Sequence, residues 1–173
     1  AKITEFDANL RTLVDAMIAT MHQSHGIGLA AQQIGQAVQV CVVDLRNADI
    51  DFTWELDGAK PPLDLFMPMA VINPEVKMQP HTDHYVFEEG CLSFPEIRGD
   101  IIRPDIITVK YLDQHGLPHV LTTDGLFSRC IQHEADHLQG KLFIDRMEKR
   151  VRNALNEDIK ALALATKAPK KIP

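Results

Sequence analysis

Apolar residues along the chain repeat in two registers, and the switches between them mark out its elements. Leu10, Leu13, Val14, Met17, Ile18 and Met21 recur at intervals of three and four, which predicts an amphipathic helix over 8–24 with Asp7 as its N-cap. GIGLAAQQIG, 26–35, breaks that period with three glycines and reads as a loop or turn. AVQVCVVDL, 37–45, is apolar and β-branched, the pattern of a buried strand. Residues 46–69 mix acids with Gly58, Pro61, Pro62 and Pro68. They read as a long surface excursion, either a lid carrying Phe52, Trp54 and Phe66 or a passive insertion. Strands are expected near 70–77, 84–88 and 106–112, and DQHG at 113–116 turns the last of these into a hairpin partner at 118–123. A helix should start at the Thr123/Asp124 cap signal and stop at Gly140. A last helix, 146–164, carries Met147, Val151, Leu155, Ile159 and Leu162 on one stripe. The tail, 166–173, reads as a flexible end to a single domain of 1–165. Strands in the middle with helices at both ends predict an α+β fold with antiparallel sheets, not alternating βαβ units.

Composition narrows the class. The chain has 173 residues, 45% hydrophobic and 24% charged, enough for one domain with a core. A formal charge of −6 lacks the basic footprint of a nucleic-acid protein, so no direct DNA binding is expected. Lys141, Arg146, Lys149, Arg150 and Arg152 cluster late and read as a solvated helix face. No apolar run reaches the length of a membrane span, and no signal peptide is visible. Three cysteines, an odd number, argue against a disulfide framework and for a reducing compartment.

The chemistry concentrates in QHEADHLQG, 132–140. His133 and His137 are four apart on the expected helix, so both imidazoles lie on one face and can reach one ion. Glu134 stands beside them and can take the proton of an attacking water. A catalytic site of this kind needs a third protein ligand. Downstream, Glu148 or Glu157 would give a zinc endoprotease. Upstream, Cys91 in EEGCLSFPE sits among acids and a glycine, before a sequence that looks strand-breaking. A thiolate ligand explains it better there than core packing does. A closed structural site with Cys130 as a fourth ligand is a further reading, but it leaves Glu134 without a use. Cys41, inside the apolar strand, reads as core.

GIGLAAQQ (26–33), EGCLS (89–93) and QHEADHLQG (132–140), in that order, resemble the three signature segments of peptide deformylase, GxGxAAxQ, EGCxS and HExDH. The resemblance implies antiparallel sheets around a central metal-binding helix, with an N-terminal and a C-terminal helix. It implies hydrolysis of the N-formyl group on the initiator methionine of nascent peptides, with release of formate. Cys91, His133 and His137 would hold one metal, natively ferrous iron (Fe2+), with Zn2+, Ni2+ or Co2+ able to substitute; ligand preference alone suggests zinc. Glu134 would be the general acid/base, and Gln33 with the backbone N–H of Leu92 would bind the formyl oxygen. Gly28 would let the substrate backbone approach, Ile27, Leu126 and Cys130 would line a pocket for the methionine side chain, and Arg129 would stand at its mouth. Glu89 is expected to brace the ligands, with Asp136 and Arg98 as further candidates. The last helix would contact the ribosome near the exit tunnel, and the compartment would be the bacterial cytoplasm, organellar origin also being compatible. Family members carry an N-terminal segment with a short strand before the first helix. This chain starts close to that helix, through either a trimmed N-terminus or a naturally short form, which bears on stability and on part of the first sheet but not on the chemistry.

Overall fold

The computed structural model describes residues 1–167. In chain order the elements are α1 (Ala8–Gln23), β1 (Gly28–Ala30), β2 (Val40–Val43), β3 (Trp54–Leu56), β4 (Met69–Met78), β5 (His84–Cys91), β6 (Phe94–Pro104), β7 (Ile107–Leu112), β8 (Pro118–Thr123), α2 (Gly125–Leu138), α3 (Phe143–Arg146), α4 (Lys149–Ala154) and α5 (Asn156–Lys167). They form two compact units, one of residues 1–85 with 103–142 and one of 86–102 with the described residues from 143 onward.

The first unit is built on a six-stranded sheet ordered β1-β2-β4-β7-β8-β3, antiparallel at each pairing. Side chains alternate across it. Val40, Val42, Ala70 and Ile72 pack with Leu10, Val14, Met17 and Met21 of α1. Cys41, Val43, Met69 and Val71 pack with Phe127, Cys130, Ile131 and Leu138 of α2. β2 and the first half of β4 are thus covered on both faces, which is why 37–45 shows no polar alternation. Asp7 caps α1 through Oδ1, which accepts from Leu10 N at 2.9 Å. At the other end of the sheet's second helix, Gln39 Nε2 donates to Leu138 O at 2.8 Å and satisfies a terminal carbonyl of α2.

The segment 26–35 is not simply a loop: Gly28–Ala30 pairs with Cys41–Val43 as β1, and Ala31–Ile34 forms one 3-10 turn. The excursion 46–69 is largely folded. Trp54–Leu56 pairs with Leu121–Thr123, and Phe52 packs edge-on against Phe127 with ring centroids 5.7 Å apart. Phe52, Trp54 and Phe66, which would have ridden on the excursion if it were a lid, all pack against the unit's core. Asp124 does not cap α2 with its side chain; its carboxylate holds Thr53 N and Thr53 Oγ1, tying the excursion down. Asp105 supplies the cap instead, accepting from Gly125 N at 3.0 Å.

In the second unit β5 and β6 form a two-stranded sheet joined by the turn Leu92–Ser93. The sequence after Cys91 looks strand-breaking, yet β6 runs from Phe94 to Pro104 with Ile97, Gly99, Ile101 and Arg103 inward and the residues between them exposed. Pro95, Gly99 and Pro104 mask that period in the sequence. Phe94 meets Phe143 edge-on at 5.4 Å. The expected helix over 146–164 is broken into α4 and α5 at Leu155, whose N–H bonds back to Arg152 O in a tightened last turn. Thr166 and Lys167 of the expected tail belong to α5, and 168–173 lie outside the described residues.

Candidate metal centre

α2 carries most of the chemistry. His137 is buried and His133 half-buried, and their rings meet edge-on with centroids 5.0 Å apart. Among the described residues one group suits a metal ion: Cys91, His133 and His137 each offer one ligand atom, and these atoms lie within 4.8 Å of one another. One thiolate and two imidazoles match the preference of borderline divalent cations, so the donor set fits a catalytic metal with an open position.

Glu134 is buried on the same helix and lies against Gly28. A Cβ on Gly28 would come within 2.9 Å of both Glu134 Cδ and Cys130 Sγ, so only glycine lets the strand pass this close. Ile27 O accepts from Asp44 N at 3.0 Å, one step beyond the Gly28↔Val43 pair, so the Ile27 carbonyl faces β2. By alternation the main-chain groups of Gly28 and Ala30 then turn outward from the sheet edge. Gln33 agrees with that parity: its Oε1 accepts from Ala30 N at 2.8 Å. That bond fixes the amide and directs its NH2 group elsewhere.

Next to His137 on α2, Asp136 forms a buried ion pair with Arg103 at 2.9 Å. Gln132 Nε2 donates to Pro104 O and Ser128 Oγ, both at 2.9 Å, and so pins the same turn of α2. Replacing Arg103 with alanine is expected to cost about 3–5 kcal/mol, because Asp136 would keep a buried charge without this partner. Urea denaturation of the two proteins measures it, and a change below about 1 kcal/mol would show the pair to be dispensable. Arg103 is not among the residues that the sequence singles out. Its signal is an arginine at inward parity with Ile97, Gly99 and Ile101, visible only once β6 is recognised.

Glu89 is buried on β5, and Leu92 is exposed in the turn after Cys91. Arg98 pairs with Glu88 at 3.0 Å on the surface. Ile27 is exposed, Leu126 is partly buried against the core, and Cys130 Sγ points to Ile27 O at 3.6 Å. Arg129 is buried and donates to Tyr85 O at 2.9 Å, so its guanidinium grips backbone. Cys41 is core, as expected: burial, aided by the Glu134 charge, pushes its thiol well above the ordinary range.

A family model described as "Polypeptide deformylase" matches residues 1–153. The chain belongs to the polypeptide deformylase family. A peptide deformylase of Opitutus terrae is 64% identical over 99% of this chain and 89% of its own length. One from Chlorobium phaeobacteroides is 40% identical over 91% of this chain and 77% of its own. Among solved structures, Arabidopsis thaliana peptide deformylase 1B in complex with an inhibitor superposes with a TM-score of 0.82, at 33% identity over 99% of this chain and 87% of that one. A Synechococcus elongatus peptide deformylase in complex with actinonin gives 0.77, at 38% identity over 99% and 84%. As a deformylase the chain is a metal-dependent hydrolase that removes the N-formyl group from new polypeptides. No helix among the described residues is long and apolar enough to cross a membrane.

Proposed function

We propose that residues 1–165 act as one catalytic domain in which Cys91, His133 and His137 hold the metal and Glu134 moves the protons. The observation that carries this reading is the Cys/His/His group, two of whose members share a helix with a buried glutamate. A divalent ion in that group would supply a Lewis acid that acidifies a water and polarises the formyl carbonyl. Glu134 takes the proton of the attacking water and returns it to the departing amine, and formate leaves. Gln33, its Oε1 committed to Ala30 N, presents its NH2 with the Leu92 N–H where negative charge develops. The substrate main chain adds along the outward groups of Gly28 as an extra strand. Ile27, Leu126 and Cys130 receive the methionine side chain, while Arg129 and Glu89 hold the surrounding backbone and ligands.

Gln33→Ala should lower kcat for a formyl-methionyl tripeptide by about 10²-fold with the metal retained. Unchanged kcat would remove Gln33 from the mechanism. We propose Fe2+ as the native metal on the family resemblance, with Zn2+, Ni2+ or Co2+ as substitutes. Anaerobic preparation with metal analysis and a formate-release assay tests this, since air oxidises both ferrous iron and the thiolate. Equal turnover from a sample holding zinc alone would end the iron assignment. The setting is the bacterial cytoplasm, where α5 would dock on the ribosome near the exit tunnel. Co-sedimentation with ribosomes, with and without residues 156–173, tests that contact, and equal pelleting would refute it.

A further inference from the structure

Asp44 follows β2 directly and carries an unusually dense set of bonds. Its side chain is buried, with 6% exposed. Oδ1 accepts from Arg46 N at 3.2 Å and Arg46 Nε at 2.9 Å, and Oδ2 accepts from Arg46 Nη2 at 2.7 Å. Oδ2 also meets His22 Nε2, in the last turn of α1, at 2.8 Å. The Arg46 guanidinium, opposed by burial and helped by His22, holds the carboxyl down to about 2, so it stays charged at any working pH. The main chain of the same residue donates to Ile27 O at 3.0 Å.

Between His22 and Ile27 the chain makes a sharp exit from α1. His25 is left-handed (φ 54°), and Gly26 N returns to Met21 O at 2.9 Å. The segment 23–27 is therefore hung between two points, the end of α1 and Asp44, and Asp44 grips both. β1 is the edge of its sheet and only three residues long. The Asp44 N–H to Ile27 O bond closes its outer end, next to the glycine that lies against Glu134.

We propose that Asp44 is a positioning residue for deformylation: clamped by His22 and Arg46, it fixes the Ile27–Gly28 backbone at the sheet edge along which the substrate's main chain lies. This rests on the reading of Gly28 as that edge. Asp44 acts through the Ile27 backbone, not on the ligands or the reacting atoms. Its loss should therefore act on substrate binding before it acts on proton transfer.

The test compares three proteins in steady-state formate release from a formyl-methionyl tripeptide, at a temperature where each is folded by circular dichroism. Asp44→Ala should raise KM about 10-fold with kcat changed less than about 3-fold and metal content unchanged, a split that general destabilisation would not produce. Asp44→Asn, which keeps the acceptor oxygen, should recover part of the KM. Gly28→Ala should lower kcat/KM by at least the loss seen for Asp44→Ala. Normal kinetics in Gly28→Ala would overturn the edge reading and the proposal with it. A damaged Gly28→Ala beside a normal KM in Asp44→Ala would overturn the clamp alone. If Asp44→Ala does not fold, the double variant His22→Ala/Arg46→Ala removes the clamp from its more exposed side and must show the same KM increase; an unchanged KM there overturns the proposal.

Discussion

Replacing Glu134 with alanine is expected to lower kcat for formate release by about 10²–10⁴-fold while leaving the metal bound. The carboxylate is buried on α2, one residue from His133 and three from His137, and it lies directly against the Gly28 edge. A group so placed can serve both the water to be deprotonated and the amine to be reprotonated. Glu134→Gln keeps the shape and removes the proton acceptor. It should be as slow as the alanine variant, which separates proton transfer from packing. Metal analysis of both variants should match the parent protein, because neither change touches a ligand. A closed structural site would behave otherwise, with turnover absent in the parent and indifferent to Glu134. Wild-type turnover in Glu134→Gln would sink the mechanism.

The helices and the central strands are legible in the sequence because their burial is simple. α1 shows one stripe to one face, and β2 is covered on both faces by α1 and α2, so period and lack of period each speak plainly. The Cys/His/His group is legible in part because two histidines one turn apart put both imidazoles on one face of a helix, where one ion could meet both. β6 is not legible, since its inward set is Ile97, Gly99, Ile101 and Arg103, and a glycine and an arginine hide the alternation. The excursion 46–69 hides its order for a different reason. That order comes from partners far away in the chain: Thr53 with Asp124, Trp54 with Thr123, Phe52 with Phe127. Local propensity carries no record of such pairings. Arg103 shares this property, and so does the His22 half of the Asp44 clamp, since those partners are supplied by the fold, whereas Arg46 is a neighbour in sequence.

Replacing Cys91 with alanine is expected to strip the metal and abolish turnover together. Two imidazoles on one helix hold a divalent ion far more weakly than two imidazoles and a thiolate, so metal content should fall from about one per chain to a small fraction after dialysis. An endoprotease-type site, with Glu148 or Glu157 as third ligand, predicts the reverse, metal retained without Cys91. Those two acids are poorly placed for that role. Glu148 is exposed at the start of α4, and Glu157 is exposed and paired with Lys160 at 3.0 Å one turn along α5. Cys130 does not take over either, since it stands outside the metal group and its Sγ turns to Ile27 O. Cys91→Asp adds the discriminating arm. An oxygen ligand at the same position should recover part of the metal and less of the rate, because the softer sulfur favours the borderline ions the two histidines prefer. Full metal content in Cys91→Ala would return the third ligand to the downstream acids and take Gln33 and Leu92 out of the mechanism with it.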